Sequence, residues 1–136
     1  MPPRQIDHIG IAVYSLAEAG RFYRDVLELK GDGPEVVPEQ KVRVVFFPVG
    51  EVRVELLEPT APDSPIARFL DKRGSGLHHI AYRVDDLAAT LASMKAAGVQ
   101  LIDEKPRSGA HGMLIAFVHP RSTGGVLTEL CQAAAR

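Results

Sequence analysis

Apolar and polar positions alternate in several short runs of the chain, and longer stretches between them carry the spacing of an amphipathic helix. Alternation with a period of two is typical of strands with one face on a core, whereas apolar positions three and four apart are typical of helices. In the first half this pattern predicts strands near residues 5–13, 29–34, 42–49 and 51–58, and a helix over 16–28. In the second half it predicts strands near 77–84, 99–103, 113–119 and 125–132, and a helix over 86–97.

The order of elements is encoded twice. IDHIGIAVYSLAEAGRFYRDVL in the first half matches LHHIAYRVDDLAATLASMKAAG in the second, each an apolar strand opening on histidine, a polar turn and a helical stretch. Later in each half, GEVRVELLEP from Gly50 matches GGVLTELCQA from Gly124. This repeat predicts an α+β fold of two βαβββ modules, at about residues 4–60 and 76–133.

The segment PTAPDSPIARFLDKRGSG connects the two halves. Ser64 is expected to cap a short helix there, because a serine side chain accepts from the free N–H groups at a helix start. Asp85 and Asp86 are expected to start the second-half helix in the same way. A unit of about 60 residues buries little surface alone, so we expect residues 1–136 to fold as a single domain.

Composition narrows the classes of function. Hydrophobic residues make up 46% and charged residues 24%, the net charge is −1, and there is one cysteine. The chain has no cluster of basic residues that would indicate a nucleic-acid partner. It also has no apolar run long enough to span a membrane. The N-terminus lacks the layout of a secretory signal and Cys131 cannot form an internal disulfide, so we expect a cytoplasmic protein.

The alternation also separates the two neighbouring histidines at the start of the second half. Successive side chains of a strand point to opposite faces, which places His8 with Gly10 and Ala12, away from the bulky face expected to pack on helices. In the second half His79 takes the equivalent position, whereas His78 lies on the bulky face. His8 and His79 are therefore the candidates for chemistry.

Two glutamates recur at matching places in the later strands. Glu55 lies with Arg53 on the face opposite the valines of its strand, and Glu129 lies opposite Leu130. Two imidazoles and two carboxylates make a plausible ligand set for a divalent transition metal. A lone strand histidine more often belongs to a core, and a lone glutamate is usually solvated. Their recurrence at similar spacing favours the metal-site interpretation.

Six segments, in this order, resemble a known family: IDHIGIAV, VPEQKVRVVFFPVG, VELLEPTAPDSPIARFL, GLHHIAYRVDD, SGAHG and FVHPRSTGGVLTEL. They resemble the vicinal oxygen chelate (glyoxalase I-like) superfamily and, within it, most closely the methylmalonyl-CoA epimerases. The likeness covers essentially the whole chain. It implies curved mixed sheets around a metal site with His8, Glu55, His79 and Glu129 as ligands, an acyl-CoA thioester substrate and a homodimer.

The resemblance also implies an activity. A metal-dependent epimerase of this kind interconverts the (R) and (S) C2 epimers of methylmalonyl-CoA by removing and returning the α-proton through a metal-stabilised enolate. The implied cofactor is a divalent ion, with Co²⁺ as the first expectation and Ni²⁺, Zn²⁺ or Mn²⁺ also acceptable. Glu129 is expected to be one acid/base. Some relatives carry a further glutamate at the position of Val44, so we expect Glu55 to act as the second one here.

Loop residues complete the expected site. The RSGAHG loop and the PEQ segment are expected to contact the substrate through His111, Gly112 and Gln40. Four basic residues are candidates for contact with the CoA phosphates, and the sequence does not favour one of them over the others: Lys41, Arg43, Lys105 and Arg107.

Other functions fit the same ligand set. A glyoxalase I-type lactoylglutathione lyase also transfers a proton across an enediolate, and a non-catalytic member of the superfamily binds a ligand without converting it. An extradiol dioxygenase fits less well, because its chemistry uses two histidines and one carboxylate with open metal positions. Fold alone does not choose among these reactions.

Overall fold

The structure of the protein is a computed structural model that describes residues 2–133. The first half contains β1 (Gln5–Ala12), α1 (Leu16–Arg21), β2 (Glu35–Val37), β3 (Val42–Val49) and β4 (Val52–Pro59). The connecting helix is α2 (Pro65–Arg73). The second half contains β5 (Gly76–Arg83), α3 (Leu87–Ala96), β6 (Arg107–Ser108), β7 (Leu114–Val118) and β8 (Thr128–Gln132). The predicted α+β class and the repeated order of elements are confirmed.

The strands of each half are arranged in the same way. The first half has the order β2-β3-β4-β1 and the second has β5-β8-β7-β6. In each half the first strand runs parallel to the last, and the other pairs are antiparallel. The first and last strands of a module are therefore neighbours, which brings the histidine-bearing strand beside the glutamate-bearing one.

A separate apolar cluster lies under the helix of each half. In the first half Val13, Val45, Phe47 and Leu56 pack with Leu16 of α1. In the second half the cluster combines strand and helix residues, namely Val84, Leu87, Leu91, Ala116, Val118 and Leu130. The bulky strand faces thus pack on the helices as predicted, because burying them removes apolar surface from water.

Contacts divide the chain into two compact units, and the boundary falls inside strand β1. His8–His78 form one unit, while residues 2–7 pack with residues 79–133. In this second unit the Arg4 N–H donates to the Arg83 carbonyl at 2.9 Å. The fully buried Asp7 carboxylate accepts from the Arg83 guanidinium at 2.6 Å. A buried carboxylate needs such a partner, because losing hydration is otherwise costly.

Three predicted features differ from the observed elements. The helix expected over 16–28 continues beyond α1 only as a π-helical turn, Phe22–Val26, and Glu28 has a left-handed φ of 57°. No strand forms at 29–34, where Gly31, Asp32, Gly33 and Pro34 favour turns. At 99–103 only Leu101 makes an isolated bridge, to Val118. Each of the two segments that form no strand contains an aspartate whose carboxylate accepts a hydrogen bond from the backbone of a strand.

The predicted helix caps are confirmed with one exception. The Ser64 hydroxyl accepts from the Ala67 N–H at 2.9 Å at the start of α2. The Asp86 carboxylate accepts from the Ala89 N–H at 3.0 Å at the start of α3. Asp85 does not cap that helix, because its carboxylate pairs with Arg4. Among residues 2–133, no helix has the length and apolar character needed to cross a membrane.

Candidate active site

The first half places a buried histidine beside a buried glutamate. Strand β1 carries His8 and strand β4 carries Glu55, and His8 Nε2 lies 3.3 Å from Glu55 Oε1. The two side chains are 4% and 7% exposed. In the parallel pairing Glu55 lies opposite Gly10, two residues after His8, which keeps the two side chains on one face.

The second half repeats this arrangement. Strand β5 carries His79 and strand β8 carries Glu129, with His79 Nε2 3.3 Å from Glu129 Oε1. These side chains are 2% and 6% exposed. Glu129 lies opposite Ala81, again two residues after the histidine. The two His–Glu pairs therefore share their strand register, their contact distance and their burial.

A phenylalanine completes each pair. Phe46 lies opposite Glu55 in the antiparallel β3–β4 pairing, and Phe117 lies opposite Glu129 in the β7–β8 pairing. The Phe46 ring meets the His8 ring edge to face at 5.4 Å, and Phe117 meets His79 likewise at 5.7 Å. Edge-to-face contacts of this kind restrict the orientation of an imidazole. Each half thus holds a His–Glu–Phe cluster.

The phenylalanine backbones are held by the aspartates of the two segments that fail to form strands. The Asp32 carboxylate accepts from the Phe46 N–H at 2.9 Å, and the Asp103 carboxylate accepts from the Phe117 N–H at 2.8 Å. The backbone N–H of each aspartate also donates to the carbonyl of the same phenylalanine, at 3.0 Å and 3.2 Å. Each aspartate therefore contacts both backbone groups of the phenylalanine that supports the histidine, and in the second half the Phe117 carbonyl also accepts from the Ile102 N–H at 2.9 Å.

Sequence reasoning missed the phenylalanines and these aspartates. Phe46 and Phe117 occupy matching positions of the repeat, in VVFFPV and LIAFVH, so the repeat itself carried the signal. Within an apolar run, however, a phenylalanine on the site face looks the same as one in the core. Asp32 and Asp103 each precede their phenylalanine by 14 positions, which is a second repeated spacing.

The donor atoms fit a divalent cation. With bonds of about 2.1 Å, two ligands of one ion lie about 3.0 Å apart in an octahedron and about 3.4 Å apart in a tetrahedron. The 3.3 Å separation in each pair falls between these values. Two buried carboxylates also need positive charge nearby, since burial of an uncompensated carboxylate is costly. Each His–Glu pair is therefore suited to share one cation.

His78 and Val44 lie at different kinds of position. His78 lies outside the pairs and meets Phe69 of α2 edge to face at 5.0 Å. Val44 is 1% exposed, and strand alternation places it on the same face as Phe46. An apolar side chain thus stands on the site face of β3, and it cannot carry a proton.

The expected substrate-binding residues lie in two equivalent turns. Gln40 ends the 3₁₀ turn Pro38–Gln40, just before β3. His111 and Gly112 lie in the 3₁₀ turn Ala110–Gly112, just before β7. His111 is exposed and has a left-handed φ of 58°. Their contact with a substrate stays a prediction.

Three of the four basic candidates for CoA phosphates already pair with carboxylates. Lys41 hydrogen-bonds Asp63 and thereby lowers the pKa of that carboxyl group below its ordinary value. Arg43 donates to Glu58 at 2.8 Å. Arg107 lies 3.2 Å from Asp103. A phosphate would have to compete with these partners.

The repeated His–Glu clusters and the βαβββ order agree with a comparison against protein families. Residues 7–117 match the model of the glyoxalase/bleomycin resistance protein/dioxygenase superfamily. The chain belongs to this superfamily. This glyoxalase superfamily is the vicinal oxygen chelate family that the sequence resembles, so the family assignment and the expected fold are both confirmed.

Individual relatives of this glyoxalase-superfamily chain include both characterised and uncharacterised proteins. An uncharacterised protein of Bacillus subtilis is 52% identical over 128 residues, which cover 94% of this chain and 91% of the relative. An ethylmalonyl-CoA/methylmalonyl-CoA epimerase of Cereibacter sphaeroides is 38% identical over 130 residues, covering 94% and 97%.

A solved structure gives the same picture. A variant of Streptomyces coelicolor methylmalonyl-CoA epimerase, in complex with 2-nitronate-propionyl-CoA, is 38% identical with a TM-score of 0.94. The similarity covers 98% of this chain and 97% of that one. The chain is thus similar over its full length to acyl-CoA epimerases.

Proposed function

We propose that this chain is a metal-dependent epimerase that interconverts the (R) and (S) C2 epimers of methylmalonyl-CoA. The observation that carries the proposal is the duplicated buried His–Glu pair, with equal 3.3 Å contacts in both halves. Full-length similarity to acyl-CoA epimerases adds the reaction class. An epimerase needs two proton-transfer groups, and a duplicated carboxylate provides them.

The proposed ligands are His8, Glu55, His79 and Glu129, acting together on one divalent ion. Two imidazoles and two carboxylates suit Co²⁺, Ni²⁺, Zn²⁺ and Mn²⁺, and Co²⁺ is our first choice. When bound, such an ion supplies positive charge that favours the negative charge developing on the thioester oxygen. This help is needed because a proton next to a thioester is too weakly acidic for an ordinary carboxylate at neutral pH.

Glu55 and Glu129 are the proposed proton carriers. One carboxylate removes the C2 proton from one face, and the other returns a proton to the opposite face, which inverts the configuration. Val44 takes the place where some relatives have a glutamate, so the first half offers Glu55 as its acid/base. Burial of both carboxylates keeps water from delivering the returning proton at random.

The proposed setting rests on the sequence and on the family likeness. We propose a cytoplasmic homodimer whose substrate is an acyl-CoA thioester, with Gln40, His111 and Gly112 contacting the acyl-CoA.

The decisive experiment is proton NMR of methylmalonyl-CoA in D₂O with the purified protein, before chelation, after chelation and after addition of Co²⁺. The proposal predicts metal-dependent loss of the C2 proton signal, together with conversion of a single epimer into a mixture. Absence of exchange with every metal would contradict it. Turnover of glutathione hemithioacetals instead would point to the lactoylglutathione lyase, and binding without any turnover to a ligand-binding protein.

A further inference from the structure

The two His–Glu–Phe clusters differ in the residue that lies beside the histidine. In the first half Arg53 of β4 is the direct pairing partner of His8. In the second half Ile80 pairs with Thr128, so the equivalent place beside His79 is taken by Leu127. The sequence shows the same difference, because VRVEL in β4 matches VLTEL in β8. A positive charge is therefore present in only one of the two repeated positions.

Arg53 lies against the ring of its own cluster. Its guanidinium carbon is 4.1 Å from the centre of the Phe46 ring, close enough for a cation–π contact. The same ring meets His8 edge to face. Because Arg53 precedes Glu55 by two residues on one strand, both side chains belong to the same face of the sheet. Arg53 is thus a half-buried cation on the face that carries the His8–Glu55 pair.

The second half also has an arginine near its phenylalanine ring, but in a different place. Arg107 approaches the Phe117 ring, at 5.5 Å, but Asp103 lies 3.2 Å from its guanidinium and offsets its charge. Leu127 packs against the apolar cluster that contains Ala81 and Cys131. The pairing position beside His79 is therefore apolar, whereas the position beside His8 carries an arginine that stacks on the Phe46 ring.

This asymmetry matches an asymmetry in the proposed substrate. The acyl group of methylmalonyl-CoA has a thioester on one side of C2 and a free carboxylate on the other. A guanidinium binds a carboxylate through two parallel hydrogen bonds, and stacking on a ring fixes its plane. The CoA phosphates are separated from the thioester by the pantetheine arm, so the acyl carboxylate is the anion that belongs next to a metal-ligand pair.

We propose that Arg53 binds the free carboxylate of the acyl group and so determines specificity for carboxylated thioesters. This inference rests on the proposed function. The bound substrate then has one orientation relative to the repeat, with its carboxylate toward the first half. Consequently Glu55 and Glu129 are not interchangeable, and each serves one epimer.

The test compares malonyl-CoA with acetyl-CoA, which differ only in the carboxylate. Isothermal titration of the cobalt-loaded protein gives the ratio of the two affinities for the wild type, Arg53→Leu, Arg53→Gln and Arg53→Lys. We expect the wild type to bind malonyl-CoA more tightly than acetyl-CoA. In Arg53→Leu and Arg53→Gln the ratio of the two affinities should fall by at least about tenfold, with the affinity for acetyl-CoA unchanged. Arg53→Lys should lose part of it, because lysine keeps the charge without the bidentate geometry.

Arg73→Leu is the matched control, since Arg73 also stacks on a phenylalanine, Phe69, at 5.7 Å. It should retain the wild-type preference. The inference is wrong if Arg53→Gln keeps that preference, or if the wild type has none. Failure of the proposed function gives a different result, in which the wild type binds neither thioester and exchanges no C2 proton. Arg53→Gln and Arg53→Lys keep the test valid should Arg53→Leu not fold.

Discussion

Glu58 accepts a hydrogen bond from the Leu16 N–H at 3.1 Å, and thereby ties the end of strand β4 to the start of helix α1. Gln132 makes the same contact with the Leu87 N–H at 2.7 Å in the second half. Each acceptor follows the site glutamate of its strand by three residues. The repeat therefore extends from the His–Glu–Phe clusters to the helix starts. The strand that carries each glutamate makes one contact with the histidine of its cluster and another with the first turn of the helix.

Removing one histidine of the proposed ligand set should weaken metal binding. We expect His8→Ala and His79→Ala each to lower the affinity for Co²⁺ by about 100-fold or more, because loss of a residue that only supports a ligand already costs about 10–100-fold. Isothermal titration with cobalt measures this. His78→Ala is the control, because His78 contacts Phe69 rather than a site carboxylate. A loss of affinity in the control equal to that in His79→Ala would contradict the assignment.

Replacing one site glutamate by glutamine should separate proton exchange from epimerisation. In Glu55→Gln and Glu129→Gln, one proton carrier is lost while an amide oxygen remains as a ligand. We expect each variant to lower interconversion by about 100-fold or more, while still exchanging the C2 proton of a single epimer in D₂O. The two variants should act on opposite epimers.

The control for both glutamate variants is Glu58→Gln, which copies the side chain that Gln132 provides in the second half and preserves the helix contact. It should retain epimerase activity. Metal content measured for every variant excludes simple loss of the ion. If Glu55→Gln kept full interconversion, Glu55 would have no role in proton transfer.

Asp32 should stabilise both the fold and the site. Asp32→Ala removes the acceptor for the Phe46 N–H in a partly buried position, so we expect a loss of about 1–2 kcal/mol in the free energy of unfolding. Urea denaturation measures this. We also expect weaker Co²⁺ binding, because Phe46 would no longer hold the His8 ring as firmly. Asp25→Ala, an exposed change on the π-helical turn, should leave both properties unaltered.

The sequence predicted those parts of the fold that depend on alternation. Strands β3 and β4 match their predicted ranges closely, and the exclusion of His78 followed from the face that it occupies. The segment at 29–34 failed because a carboxylate contact from Asp32 replaced strand pairing, and such a contact depends on a residue 14 positions away. The role of Phe46 also required coordinates, since ring orientation is a property of packing rather than of periodicity.

Val44 is the position where the resemblance implies a glutamate in some epimerases, and introducing a carboxylate there tests which residue carries the second proton. Val44 lies on the face of Phe46 and is 1% exposed, so Val44→Glu alone places a third carboxylate in a buried region. We expect that single variant to be less stable than the wild type, because an additional buried carboxylate must lose its hydration. Thermal unfolding measures the difference.

Combined with Glu55→Gln, the same substitution should be beneficial. The double variant Val44→Glu/Glu55→Gln again has two carboxylates in total, one from each half, and should regain at least part of the epimerisation lost in Glu55→Gln. D₂O exchange with each separate epimer measures this recovery. Val44→Gln/Glu55→Gln is the matched control, because it adds similar bulk and polarity without a proton carrier, and it should stay inactive. Equal activity in both double variants would mean that the second proton comes from neither position.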